Sequence, residues 1–333
     1  MKSPITGIEM VLKQETIETV FRKEKFNVVY HYYQCEESGE KFEDERLAQL
    51  NLSQVYNLYR KKHNLPFPEE ITRLRELYGL SASKMSEVLG FGINIYRAYE
   101  SGEIPNSSNA RLIQLAQDPK EFKKLVELSD VLNGRELEKV MHKINALLLE
   151  EELASFDLTD YLMGDARPDE DTGYRVPNLE KFSEMVLFFT ALLQPYKTRM
   201  NKLLFYADFC HFKLHGISIS GCRYRAIDRG PVPFNYRSLF EYLSNNEYVD
   251  LQQTEFPDGK TWEQFTPHES RMYDESIFTQ TELDVLKLVA EKFKKTYSQG
   301  IVDLSHEEEA WKKNFTNGKK IISYIDGFTL VNI

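Results

Sequence analysis

The chain of 333 residues is 41% hydrophobic and 28% charged, which predicts about two folded domains with buried cores and excludes a wholly disordered chain. No apolar run approaches the roughly 18 residues that span a bilayer, and residues 1–4 lack the start of a secretory signal. Three cysteines cannot build a disulfide framework. We therefore expect a soluble, cytoplasmic protein with reduced thiols, no metal and no cofactor.

The net charge of −10 is concentrated in one region of the chain. Residues 118–180 carry eight basic and sixteen acidic residues, whereas residues 66–117 carry five basic and six acidic ones. A negative net charge argues against a general nucleic-acid coat, so DNA binding has to be judged locally. The stretch 156–177 is acidic and rich in turn residues, and we predict that it is a linker.

The first 65 residues predict a small antiparallel sheet followed by a helix. Apolar and aromatic residues alternate at a period of two in one stretch: Phe26, Val28, Tyr30 and Tyr32. Residues 10–22 are expected to pair with this stretch through a turn at 23–25. From Glu43 the apolar spacing is helical until Pro66 interrupts it.

The rest of the chain reads as mainly helical, so the predicted fold class is mainly α with small β elements (α+β). Four short helices are predicted within 69–117, three of them ended by a glycine at a position that needs a positive φ: Gly79, Gly90 and Gly102. Later helices are expected at 121–132, 136–153, 179–193, 200–214, 235–243, 283–293 and 309–315, and a short strand at 224–226. Capping boxes are predicted to begin at Thr279 and Ser305, and the sequence 230–233 (Gly-Pro-Val-Pro) is predicted to be a rigid turn.

The most informative pattern in the N-terminal half is a pair of short helices joined by a tight turn. The second helix carries Asn94 and Arg97 three residues apart, where an amide and a guanidinium can face base edges in the major groove. The start of the preceding helix and the turn supply further candidates for contacts with DNA: Ser81, Ser83, Lys84 and Gly92. A solvated helical bundle without DNA binding explains the same spacing about equally well.

Residues 83–102 resemble the Cro/C1-type helix-turn-helix, in the version of the MqsA/HigA-like type II antitoxins. In the MqsA-type family a zinc-binding sheet that begins with Cys-Pro-x-Cys precedes this motif. Here residues 3–6 read Ser-Pro-Ile-Thr, and the closing segment keeps Cys35 alone, so the resemblance implies a sheet that lost its metal. The arginine that the family has directly before Tyr-Glu is replaced by Ala98, and Arg97 stands one residue earlier.

Three blocks in the C-terminal half, 201–212, 221–233 and 305–311, resemble the Panacea domain, also called the SocA-like antitoxin domain. The resemblance spans about 179–315 and implies neutralisation of a co-encoded toxin by direct contact. It points to a set of toxin-binding or motif residues: Lys202, Tyr206, Asp208, Phe209, His211, Phe212, Arg223, Tyr224, Arg229, Gly230, Pro231, His306 and Trp311. Phe234 and Tyr236 are further candidate interface anchors, although about two thirds of such aromatic residues are expected in the core.

Enzymatic readings are weaker. Cys210 and His211 are adjacent on a predicted helix, where neighbouring side chains diverge by about 100°, and a core thiol is the simpler interpretation. The segment from His306 approaches the zinc-protease motif, but Ala310 replaces its second histidine. Lys202 and Asp208 are expected to have separate partners, or Asp208 pairs with one of Arg223, Arg225 and Arg229.

The sequence thus predicts a non-enzymatic antitoxin with four regions: a degenerate sheet domain at 1–65, a helix-turn-helix at 66–117, helices and an acidic linker at 118–178, and a toxin-neutralising domain at 179–333. The expected partners are a protein toxin, operator DNA and a second copy of the chain, because two-fold operators require a two-fold protein. Helices at 120–153 or the N-terminal sheet are candidates for the dimer contact. Two alternatives stay open: an adaptor that delivers the toxin to a protease, and a ligand-sensing transcription regulator.

Overall fold

The computed structural model describes residues 1–153, 158–164, 167–255, 261–269, 271–316, 318 and 320–333. It divides into two compact units, Met1–Asp157 and Leu158–Ile333. Helices dominate both units and the sheets are small and antiparallel, which confirms the predicted α+β class. Within the described residues, no helix is both long and apolar enough to cross a membrane.

Unit 1 begins with the predicted sheet and helix, which are β1 (Val11–Phe21), β2 (Glu24–Gln34), β3 (Lys41–Phe42) and α1 (Glu45–His63). The β1–β2 turn is formed by Arg22 and Lys23, at φ 47° and 68°, slightly earlier than predicted. A two-residue turn in which both residues have positive φ has a backbone twist that matches the twist of the paired strands in a tight hairpin. Phe26 and Val28 are buried against Val55 of α1, as the period of two predicts.

Six helices complete unit 1: α2 (Pro68–Tyr78), α3 (Ala82–Val88), α4 (Ile95–Glu100), α5 (Ser107–Leu115), α6 (Pro119–Ser129) and α7 (Gly134–Leu153). One apolar core joins them and includes Ile71, Met85, Tyr96, Phe122 and Ile144. The three predicted helix-ending glycines all have positive φ: 67° at Gly79, 72° at Gly90 and 107° at Gly102. Their conformation confirms the predicted helix ends.

Unit 2 is organised around one buried helix. Its elements are α8 (Leu158–Met163), α9 (Leu179–Leu193), α10 (Lys197–His215), β4 (Tyr224–Ile227), β5 (Gly230–Pro233), α11 (Tyr236–Asn245), β6 (Val249–Glu255), β7 (Thr261–Pro267), α12 (Gln280–Phe293), α13 (Ser298–Glu307), α14 (Glu309–Thr316) and β8 (Ile321–Ile322). Every residue from Met200 to Phe212 of α10 is buried, and α9, α12, α13 and β5 pack around it. Strand β4 lies between β5 and β8, and β6 pairs with β7.

The acidic stretch predicted as a linker is folded over most of its described length. Helix α8 occupies part of it, and Thr172 and Tyr174 are buried in unit 2. The acidic side chain of Asp169 is used locally, because its Oδ1 accepts hydrogen bonds from the backbone N–H groups of Asp171 and Thr172. This corrects the linker prediction, although residues 156–157 and 165–166 within it lie outside the described residues.

Two further local predictions are corrected. The sequence 230–233 is strand β5 rather than a turn, and it pairs with β4 through a hairpin at Asp228 and Arg229. Ser305 does not begin a helix, because it lies inside α13 and its hydroxyl donates to the carbonyl of Val302. The other capping box is confirmed at Thr279, whose hydroxyl accepts from the backbone of Glu282.

Candidate functional site

Lys202 is a buried lysine at the centre of unit 2. Its side chain is 1% exposed, and its Nζ donates a hydrogen bond to the carbonyl of Pro231 at 2.8 Å. Burial, with a smaller contribution from the nearby charge of Arg229, lowers the pKa of Lys202 to about 7. Gly230 has φ +88°, and a Cβ there would overlap the side chains of Lys202 and Ser305. Only glycine therefore fits where the hairpin passes over the lysine.

Asp208 is fully buried on the same helix and fixes a different part of the chain. Its carboxylate accepts hydrogen bonds from the backbone of Ile219 and Ser220, the Ser220 hydroxyl and the Tyr224 hydroxyl, at 2.6–2.8 Å. Burial raises the pKa of Asp208, while these hydrogen bonds oppose the shift. Lys202 and Asp208 thus have separate partners, as predicted. The partners of Asp208 are backbone N–H groups and hydroxyl groups, and none of them is one of the three arginines considered as alternatives.

The third motif block, residues 305–311, contacts the C-terminal segment of unit 2. Glu308 is fully buried and accepts hydrogen bonds from the hydroxyl of Tyr206 and from the backbone of Val331 and Asn332. The Glu308 carboxylate thereby holds the C-terminal segment, which explains its position better than the predicted capping role. Trp311 stacks on the ring of His306 at 3.9 Å and donates from Nε1 to a carbonyl of β4.

Burial separates the predicted toxin-binding or motif residues into two groups. Nine are buried in the core of unit 2: Lys202, Tyr206, Asp208, Phe209, His211, Phe212, Tyr224, Gly230 and Pro231. Four others retain exposed surface: Arg223, Arg229, His306 and Trp311. Of the additional aromatic candidates, Phe234 is 40% exposed and Tyr236 is half-buried. A partner that binds this folded surface can touch the second group and these two aromatic residues.

The buried thiol and imidazole of α10 do not form a nucleophile and base pair. Burial raises the pKa of Cys210 to about 11, which keeps the thiol protonated. His211 has other partners, since Nδ1 lies 2.7 Å from the carbonyl of Ile217 and Nε2 lies 3.3 Å from the hydroxyl of Thr281. Burial lowers the pKa of His211 to about 3, so its ring is neutral and structural. The geometry favours the predicted core thiol.

A polar cavity of about 720 Å³ opens beside Lys202. Its walls come from the start of α10, the β4–β5 turn, α11, β7 and the start of α13. The charged residues in its lining are Lys197, Lys202, Asp228, Arg229, Arg237 and Glu263. Sequence reasoning identified Lys202, Arg229, Tyr236 and His306 of this lining but missed Asn201, Arg237 and Trp262. Trp262 carried the clearest signal, because the chain has two tryptophans.

The DNA-binding candidates of unit 1 lie at the start of α3, in the turn that follows it and on α4. Gly92, Asn94 and Arg97 are exposed at the turn before α4 and along its outer side. Asn94 is the N-cap residue of α4, but its side chain makes no capping hydrogen bond. On the inner side, Tyr96 is fully buried and donates from its hydroxyl to the carbonyl of Ile71.

Polar contacts join α4 to α3 and to α2. The backbone N–H of Tyr96 donates to the hydroxyl of Ser86 at 2.9 Å, which joins the two helices. Arg75 of α2 pairs with Glu100 at the end of α4 at 2.6 Å. Ser81 caps α3 by accepting from the backbone of Lys84, so part of the predicted phosphate-binding potential of Ser81 is used within the helix.

The N-terminal turn brings Ser3 and Thr6 beside Cys35. Ser3 is buried, and the hydroxyl oxygen of Thr6 lies 3.3 Å from the sulfur of Cys35. Hydrogen bonds from Ser38 and Thr6 lower the pKa of Cys35 to about 6. Within the described residues, no group of three or more His, Cys, Asp or Glu side chains is placed to hold a metal ion.

These observations define unit 2 as a helical domain built on buried charged residues and a short antiparallel hairpin. Residues 200–312, which lie wholly within unit 2, match the family model described as the antitoxin SocA-like, Panacea domain. This match supports the predicted Panacea domain and suggests an antitoxin role. No curated protein matches the chain. The MqsA-like resemblance of unit 1 stays a prediction.

Proposed function

We propose that this protein is the antitoxin of a type II toxin–antitoxin pair, in which unit 2 neutralises a protein toxin by binding it. The observation that carries this proposal is the match of residues 200–312 to the SocA-like Panacea domain. Two features of unit 2 fit a binding role better than catalysis. Cys210 and His211, which were considered as a nucleophile and base, are buried in the core, and the motif residues that retain exposed surface include Arg229 and Trp311, types that dominate interaction hot spots.

The test is co-purification of the full-length protein with the product of the neighbouring gene, combined with growth rescue when that product is expressed. A stable complex together with rescue supports direct neutralisation. Rescue that disappears in strains lacking a cytoplasmic protease identifies a proteolytic adaptor instead. A harmless neighbouring product, or one that does not bind, contradicts the antitoxin role.

We further propose that unit 1 binds operator DNA as a homodimer and represses the antitoxin's own operon. Support comes from the exposure of Gly92, Asn94 and Arg97 along α4, and from the buried contacts that fix α4 against α3. The region 66–117 has almost balanced charge, so affinity must come from a few placed contacts and from dimerisation. The predicted dimer contact in helices 120–153 or in the N-terminal sheet belongs to this proposal.

The DNA proposal is tested with the double variant Asn94→Ala and Arg97→Ala. Each base contact is worth about 1–3 kcal/mol, so the loss per subunit is about 2–6 kcal/mol in an operator-binding assay. The matched control is Asn245→Ala with Arg46→Ala, which removes the same residue types from exposed positions of α11 and α1. Equal operator affinity in the two double variants refutes the assignment, whereas growth rescue is expected to survive in both.

A further inference from the structure

The cavity beside Lys202 has more positive than negative groups available to a ligand. The lining holds two carboxylates and four basic side chains: Glu263 is already paired with Lys197 at 2.6 Å, and Asp228 is the other carboxylate. Arg229 and Arg237 are exposed at the cavity wall, and no carboxylate among the described residues forms an ion pair with either. With Lys202 below them, these two guanidinium groups form an electropositive pocket that favours an anion.

The start of α13 adds backbone donors to the same pocket. Ser298 and Gln299, in the first turn of this ten-residue helix, line the cavity. Tyr297 is the N-cap residue of α13, but its side chain makes no capping hydrogen bond. It therefore does not occupy the N–H groups of the first turn. The positive end of a helix dipole together with free N–H groups is a common phosphate-binding arrangement.

A second, independent observation is a buried hydrogen-bond acceptor in the cavity wall that has no donor. Asn201 is 3% exposed and lines the wall, and its Nδ2 donates to the carbonyl of Lys197. Its Oδ1 is buried and has no partner among the described residues. His306 also lines the cavity, and its Nε2 is buried and has no hydrogen-bond partner among the described residues. A buried acceptor without a partner is costly, so a ligand that supplies a hydroxyl or N–H donor fits here.

Aromatic side chains form the outer wall of the cavity. Trp262 is 40% exposed and meets Tyr196 edge to face, with ring centroids 5.5 Å apart. Tyr236 lies in the same lining. A flat ring that stacks on an exposed aromatic face is stabilised by about 1–3 kcal/mol.

We propose that this cavity binds a nucleoside monophosphate. The phosphate lies between Lys202, Arg229 and the start of α13, a ribose hydroxyl donates to Oδ1 of Asn201, and the base stacks on Trp262. The cavity volume of about 720 Å³ is within the usual range for small-molecule sites. The proposal depends on neither toxin nor DNA binding, and its test uses neither partner.

The experiment titrates the full-length protein with AMP, GMP, CMP and UMP by calorimetry, and follows tryptophan fluorescence in parallel. We expect at least one nucleotide to saturate at one molecule per chain. Its nucleoside without phosphate, and ribose 5-phosphate without the base, should each bind about tenfold more weakly or worse, a difference of at least about 1.4 kcal/mol. Absence of saturable binding for all four nucleotides overturns the proposal. Inorganic phosphate that binds as tightly as the best nucleotide also overturns it, because the ribose and base would then contribute nothing.

Two double variants with the same change in charge separate the site from general electrostatics. Arg229→Ala with Arg237→Ala should weaken nucleotide binding by about tenfold or more. Lys292→Ala with Lys295→Ala, at exposed positions outside the cavity lining, should leave it unchanged. Equal weakening in both double variants refutes a specific site. Circular dichroism and melting temperature confirm that each variant is folded, and Asn201→Leu provides a further variant that removes the acceptor but no charge.

Discussion

Replacing Lys202 with methionine should make unit 2 more stable. Burial lowers the pKa of this lysine from 10.5 to about 7, and each pKa unit corresponds to about 1.4 kcal/mol. The buried ammonium therefore costs about 4–5 kcal/mol of folding free energy at pH 7 or below. Methionine keeps the length of the stem but leaves the Pro231 carbonyl without its donor, which costs about 1–3 kcal/mol. The expected net gain is about 2 kcal/mol.

The gain from this substitution should depend on pH in a defined direction. Between about pH 7 and 10.5 the unfolded lysine is protonated while the folded lysine is neutral, so the unfolded state binds more protons. Wild-type stability therefore rises with pH across this window relative to the Lys202→Met variant. The advantage of the variant should be fully present below pH 7 and should disappear towards pH 10. Arg229, His306 and Asp228, which face the lysine, are the same in both proteins.

Urea unfolding followed by tryptophan fluorescence measures this effect selectively. Both tryptophans, Trp262 and Trp311, lie in unit 2, so the signal reports the unfolding of that unit. Lys292→Met, at an exposed position of α12, is the control and should change stability by less than about 0.5 kcal/mol. A Lys202→Met variant that is less stable than wild type at pH 7, or whose advantage does not change with pH, refutes the reasoning.

Three further predictions concern unit 2. Because the pKa of His211 is lowered to about 3 in the folded protein, the unfolded state binds a proton below about pH 6.5 while the folded state stays neutral; unfolding free energy should drop by about 2 kcal/mol at pH 5, and His211→Gln should remove this part of the slope. Glu282→Gln should destabilise by about 3–5 kcal/mol in urea unfolding, because Arg175 and Lys181 each lie 2.8 Å from its buried carboxylate and would lose their counter-charge. Gly230→Ala should lower the melting temperature by several degrees, since φ +88° and the overlap with the Lys202 side chain are both unfavourable; an unchanged melting temperature contradicts this packing.

Local signals in the sequence were sufficient for most of the helices. Glycines with positive φ ended the helices as predicted, and the Thr279 box began α12, because both depend on a few neighbouring residues. The segment after Asp169 was misread because its acidic and turn-forming residues are typical of linkers. Its folding depends on distant groups instead, including the hydroxyl of Ser218, which donates to the carbonyl of Thr172.

The candidate site was harder to predict than the fold. Nothing in the sequence separates a buried lysine from a solvated one, and the burial of Lys202 results from β5 and α13 packing over α10. The Ser305 box failed for a similar reason. Glu308 matches a capping residue in sequence, but its carboxylate binds the backbone of Val331 and Asn332, a contact that only the folded C-terminal segment creates.

The residues that make the Panacea resemblance recognisable are mostly the ones that a partner cannot touch. Asp208, Glu308 and Tyr224 are fully buried and bind segments of their own chain, so they specify how the domain folds. Any toxin that binds the folded surface must be recognised by exposed residues, which are a different set from these buried ones. It follows that substitutions at exposed positions such as Arg229 and Phe234 should change partner choice without unfolding unit 2. Substitutions of the buried motif residues should abolish binding through loss of the fold.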